Sequence, residues 1–176
     1  MVMSAATQIA IEEYLKTTYR PDREYIDGEV RERNLGEEPH SLLQSRLVLY
    51  FSALESQVQL IPYVDCRVQV SATRFRVPDL SVVRGKRPQT KVLVTPPLIV
   101  VEIQSPEDSW YDMADRIADY VRFEIPNIWV IDPVRRLASW IEQGSKVEAP
   151  DLVLETTDKT IRLPMRKVFE AIDRLD

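Results

Sequence analysis

Two carboxylates in this chain sit in apolar, strand-like runs where a charge is costly. Glu102 lies in PPLIVVEIQSPED, residues 96–108, and five of the seven residues from Leu98 to Gln104 are apolar. The run is short, β-branched and bounded by prolines, so it reads as a strand buried on both faces. A charge in such a place demands compensation by a structural partner, a metal ion or a site that uses it chemically. Asp79, in VPDLSVV, heads another apolar strand about twenty residues earlier. If the two strands pair, the acids converge. Adjacent carboxylates repel and one pKa rises unless a hard cation takes both as oxygen ligands, a task that suits Mg²⁺ or Mn²⁺. Strand alternation puts Glu102 and Gln104 on one face with Leu98 and Val100, and Ile99, Val101 and Ile103 on the other.

The elements that must position these acids follow from hydrophobic period and punctuation. There are four glycines and twelve prolines, so the prolines do most of the punctuating. TQIAIEEYLKTTY, with Thr7 as cap and Ile11, Tyr14 and Leu15 at helical spacing, predicts a short first helix. The Asp27-Gly28 pair predicts a tight hairpin turn with Glu29 just beyond it. HSLLQSRLVLYFSALES sets Leu43, Leu47, Tyr50, Phe51 and Leu54 on one face of a second helix opened by His40. Strands are expected at QLIPYVD, RVQVS and TRFRVPDLSVVR, with Pro78 tolerable only near a strand start or edge. SWYDMADRIADYVRFEIP resumes the helical period, with Trp110, Met113, Ile117 and Val121 inward and a Ser109/Asp112 capping box. Asp112, Asp115, Arg116 and Asp119 face elsewhere. NIWVIDP reads as a buried strand, RLASWIEQ as an edge strand after a turn at Pro133, and LPMRKVFEAIDRL as a last amphipathic helix. The fold class is therefore α/β (α+β), a central mixed sheet flanked by helices.

At 176 residues and 44% hydrophobic content, a single domain over residues 1–176 is expected. One cysteine, Cys66, and one histidine exclude an internal disulfide and a Cys/His zinc site, and fit a reducing cytoplasm. No secretory pattern and no run of 18 apolar residues is found, so membrane insertion is not expected. A net charge of −5 argues against a chain whose whole surface binds nucleic acid, while leaving room for a local basic groove.

VPDLSVV followed by LIVVEIQSPED, a helix and IPNIWVIDP resembles the PD-(D/E)XK nuclease superfamily. More narrowly, the chain is similar to the Uma-type restriction-endonuclease-like family from about residue 12 to the final helix. The resemblance implies a Mg²⁺- or Mn²⁺-dependent endonuclease of that fold, with Asp79, Glu102, Glu29 and His40 as the family's acids and helix histidine. The superfamily motif ends in lysine two residues after the glutamate, where this chain has Gln104. In Uma-type relatives a lysine on the following helix substitutes, and the corresponding residue here is Arg116. Arginine keeps the charge but cannot act as a base.

The expected chemistry is phosphodiester hydrolysis. Asp79, Glu102 and the Ile103 carbonyl hold the cation, with Glu29 acting through water; Gln104 orients a water, Arg116 offsets phosphoryl charge and His40 shuttles a proton. The basic loop RGKRPQTK offers Arg84, Lys86, Arg87 and Lys91 to a DNA backbone, and a homodimer is expected by analogy with restriction-like folds. Each residue also has an ordinary reading. Glu102 pairs with an arginine, Arg116 with Asp112 along its helix, His40 starts a helix, and Glu29 and the basic loop are merely solvated. A non-catalytic binding or structural module is the competing function, favoured by Gln104 and the acidic net charge; a phosphoesterase for small substrates is a third.

Overall fold

A computed structural model describes residues 8–33, 37–105 and 109–173, with the Trp110 side chain excepted. The expectations for Thr7 and for the inward face of Trp110 lie outside the described residues. Six strands form the sheet that carries Glu102: in spatial order β10 (Ser145–Glu148), β9 (Leu137–Glu142), β8 (Ile128–Asp132), β7 (Ile99–Ile103), β6 (Leu80–Arg84) and β3 (Leu60–Val64). Strands β7 and β8 run parallel and the other neighbours antiparallel, giving the expected mixed sheet.

All five residues of β7 are buried because both faces of the sheet are covered. Ile99, Val101 and Ile103 enter the main core with Leu43, Leu47 and Phe51 of α2 (Glu38–Ala53) and Phe169 and Ile172 of α5 (Met165–Asp173). Val100 enters a second core with Ile128 and with Tyr120 of α4 (Trp110–Arg122). Leu98, expected beside Val100, precedes the strand and packs on the main core instead. Helix α1 (Ile11–Lys16) buries Tyr14, and α3 (Glu55–Val58) is a single turn after α2.

A second, antiparallel sheet has the order β2 (Glu29–Arg31), β1 (Glu24–Ile26), β5 (Arg74–Arg76), β4 (Val68–Ser71). Its first hairpin turns at Asp27 and Gly28, with φ of 50° and 102°, the positive values that a two-residue turn requires. TRFRVPDLSVVR is not one strand. Pro78 has no N–H and biases the residue before it, so the run breaks into β5 in one sheet and β6 in the other. Asp79 therefore stands at the joint between the sheets.

Buried ion pairs tie this second sheet to α4. Arg76, 2% exposed, donates to Glu24 and Asp119, each at 2.7 Å, and to Asp115. Arg74 adds bonds to Asp27 at 2.8 Å and Asp119 at 2.9 Å. On α4, Met113 and Ile117 face inward as expected, whereas Val121 is exposed because the helix turns it past the sheet. Ser109 caps α4 by accepting the Tyr111 amide. Strand β9 is not an edge strand, since β10 pairs outside it through a turn at Gln143-Gly144. A short sheet of β11 (Val153–Glu155) and β12 (Arg162–Pro164) was not expected. Among the described residues no helix is long and apolar enough to cross a membrane.

Candidate active site

Strand register brings the two acids together. Leu80 of β6 faces Val101 of β7, so Asp79, one residue before β6, falls opposite Glu102. Asp79 Oδ2 accepts the Ile103 amide at 2.6 Å, which caps β7 where its ladder with β6 ends. Oδ1 of Asp79 accepts from Arg33 and lies 3.2 Å from His40 Nε2, and Gln44 donates to the Asp79 carbonyl at 2.8 Å. His40 and Gln44 are four residues apart on α2, so one helix face grips both ends of Asp79. His40 does not open α2; it lies within the first turn, behind an N-cap at Glu37.

Glu102 is fully buried and held from α4: Arg116 Nη1 donates to Oε2 at 3.0 Å and the Tyr120 hydroxyl to Oε1 at 2.5 Å. Arg116 thus pairs with Glu102 across the fold, which makes it a positioning residue in this arrangement. Burial pushes the Glu102 carboxyl up to about 7, against the pull of Arg116 and with a further push from Asp79. For Asp79, burial acts upward too, but the His40 hydrogen bond and the Arg33 charge outweigh it and hold the carboxyl below its usual range. His40 moves up because the bond to Asp79 overcomes the downward effect of burial. Neighbouring carboxyls with pKa values pushed apart are what acid–base and cation sites require.

A cation at this point must fit the donors present. Among the described residues no cluster of three or more His, Cys, Asp or Glu side chains is arranged for a metal, so the set is Asp79, Glu102 and backbone. Continuing the β6–β7 register places Pro78 opposite Ile103, and proline has no N–H to donate. The Ile103 carbonyl consequently gets no bond from that strand. Two carboxylates and a carbonyl to which β6 donates no bond, completed by water, match what Mg²⁺ accepts. The group fits, provided Arg33 yields its place on Asp79.

The other expected residues are distributed unevenly. Gln104 lies near this centre and accepts from Lys146 Nζ of β10 at 3.4 Å. Glu29 is not brought to the acids; it pairs with Arg31 at 3.3 Å along the half-buried β2, because the hairpin aims it along its own sheet. Arg84 is committed to Asp158 at 2.7 Å and to Thr160, so it does not join the loop residues Lys86, Arg87 and Lys91, which are exposed. Arg33, Tyr120 and Lys146 were missed. Only Tyr120 had a local signal, its i,i+4 spacing from Arg116.

Residues 11–166 match the sequence profile of the Uma2 family, described as "Putative restriction endonuclease". The chain belongs to this family. A crystal structure described as "a putative nuclease belonging to DUF820", from Anabaena variabilis, matches with a TM-score of 0.78 over 92% of this chain and 98% of that one. At 22% identity this likeness shows the shared fold. "Uncharacterized protein slr1290" of Synechocystis sp. is 30% identical over 118 residues, 64% of this chain and 62% of the relative's length. Membership of Uma2 supports a nuclease-like function.

Proposed function

We propose that this Uma2 chain is a divalent-cation-dependent endonuclease that hydrolyses DNA phosphodiesters. The observation that carries the reading is the meeting of Asp79 and Glu102 at the ends of two paired strands, beside a carbonyl to which Pro78 cannot donate. Asp79, Glu102 and the Ile103 carbonyl would hold one Mg²⁺ or Mn²⁺, which when bound polarises a phosphodiester and acidifies a water. Tyr120 and Arg116 fix the Glu102 carboxylate from α4, and His40 with the Ile103 amide fixes Asp79. His40, whose bond to Asp79 favours its protonated form, is placed to give or take a proton at Nε2. Gln104 orients water through its amide, with Lys146 supplying nearby positive charge. Arg33, released from Asp79, offsets charge on a phosphoryl oxygen. Lys86, Arg87 and Lys91 touch backbone phosphates. Cutting both strands of a duplex takes two such centres, which a homodimer supplies; sedimentation equilibrium checks it. The lone half-buried Cys66 suits the reducing cytoplasm.

One observation favours a second reading, a non-catalytic module. All four oxygens of the acid pair already have protein partners, namely Arg33, His40, the Ile103 amide, Arg116 and Tyr120. Calorimetric titration with Mg²⁺ and Mn²⁺, alongside plasmid cutting, separates the two. The nuclease binds and cuts, and Asp79→Ala loses both. A wild type that binds no cation and leaves plasmid intact is the module.

A further inference from the structure

Tyr63 has no role in the core. It lies half-buried on β3, at the edge of the six-stranded sheet, and belongs to none of the hydrophobic clusters of the described residues. Leu60 of the same strand points into the main core, so alternation sends Tyr63 to the opposite face, the one that carries Glu102. Tyr63 faces Ser81, which faces Val100. That places it two strands across and two residues back from Glu102, about 12 Å between Cα atoms at ordinary sheet spacings.

A hollow of about 590 Å³ opens beside the ring, lined by Tyr63, Cys66, Arg87, Gln89, Lys91 and Leu93 among others. Its far wall is anchored. Leu93 is buried and bonds through its backbone to Arg67 and Gln69, each at 2.8 Å, so the basic loop returns to a fixed point beside Cys66. The charge here is also distinctive. Residues 66–101 hold seven Arg or Lys and one acid, Asp79, inside a chain of net charge −5. Four of the seven are committed: Arg67 to Asp22, Arg74 and Arg76 to the α4 acids, and Arg84 to Asp158. Lys86, Arg87 and Lys91 are exposed and make no ion pair with the described residues, and Arg87 and Lys91 line the hollow.

An aromatic face set back behind unpaired cations is what a single strand needs, with bases on the ring and phosphates on the rim. A paired base keeps its face inside the duplex and cannot reach a recessed ring. We infer that the hollow takes one unpaired nucleotide of a nucleic-acid strand, its base stacked on Tyr63 and its phosphates on Arg87 and Lys91, a few nucleotides from the bond held at Glu102. This rests on the nuclease reading and adds to it a strand preference that the acid pair does not specify.

The test is fluorescence anisotropy in EDTA, so that nothing is cut, with a short labelled strand offered single and as a duplex. Deoxyribo- and ribo-oligonucleotides are run side by side to identify the sugar. The single strand is expected to bind more tightly. Tyr63→Ala should weaken single-strand binding on the order of tenfold and leave the duplex alone, while Tyr63→Phe binds like the wild type. Arg87→Ala and Lys91→Ala, both at exposed sites, should each lower the salt dependence of binding by about one ion. Wild-type single-strand affinity in Tyr63→Ala overturns the inference, as does an equal loss for single strand and duplex. If the wild type still cuts plasmid in Mg²⁺, that failure leaves the nuclease reading intact. Tyr63-dependent strand binding by a protein that neither binds Mg²⁺ nor cuts sinks the nuclease reading and keeps the site.

Discussion

Replacing Arg76 with methionine tests whether the buried charge cluster braces the site. The substitution keeps most of the aliphatic stem and deletes a guanidinium that is 2% exposed. Asp119 keeps Arg74 and Arg122, each at 2.9 Å, and Asp115 keeps Arg74 at 3.3 Å. Glu24, 6% exposed, keeps only the amide of Val77 at 3.4 Å among the bonds described. Removing one partner of a buried ion pair costs roughly 3–5 kcal/mol. Because two of the three acids retain a cation, the expected loss is at the lower end, about 3 kcal/mol. For a chain of this size that lowers the melting midpoint by about 6–12 °C. Urea unfolding at pH 7 and pH 4, followed by the fluorescence of buried Trp129, reads it. Acid removes the unpaired charge by protonation, so the deficit should shrink at the lower pH. A deficit below about 1 kcal/mol at pH 7, or one equal at both pH values, refutes the reasoning, since either shows that no carboxylate was left stranded.

Three further changes probe the centre itself. Tyr120→Phe deletes the 2.5 Å hydroxyl bond to buried Glu102 and should cost about 1.5–3 kcal/mol by urea unfolding, with little change in shape. Pro78→Ala supplies an N–H opposite the Ile103 carbonyl; calorimetry should show weaker Mg²⁺ binding, with the melting midpoint nearly unchanged. His40 is raised above 6.5 in the folded chain, so its contribution to stability is fully present below about pH 6.5 and is lost as pH rises through the higher folded value. His40→Asn should therefore flatten the fall in stability across and above neutrality, and an unchanged pH profile would show that the Asp79 bond carries no such linkage.

How much of this was legible depended on whether a residue was anomalous where it stood. Glu102 and Asp79 were legible because a charge in an apolar, β-branched run breaks the local pattern, and alternation then fixed the face Glu102 uses. The hairpin at Asp27-Gly28 and the helix carrying Leu43, Leu47 and Phe51 were legible from turn chemistry and period. Strands β11 and β12, three residues each, are too short to show a period. Arg33 was invisible because its partner, Asp79, is 46 positions away and nothing near residue 33 marks the pairing. Glu29 was singled out by the family resemblance, yet the hairpin directs it to Arg31. Pro78 marks a strand edge; its larger effect is to switch the chain between sheets and to withhold a β6 bond from the Ile103 carbonyl.

Net charge is a poor guide to a local groove, because it sums residues that the fold has already paired. The acids of α4 answer Arg74 and Arg76, Asp22 answers Arg67, and Asp158 answers Arg84. Cancelling these pairs leaves Lys86, Arg87 and Lys91 as exposed cations on one loop, in a stretch whose one acid, Asp79, is buried. An overall −5 is then compatible with a local field that attracts phosphate, since beyond a Debye length of about 8 Å the acidic remainder of the surface is largely screened. The quantity that bears on nucleic-acid binding is the charge left unpaired where the strand would lie, and on this loop that charge is positive.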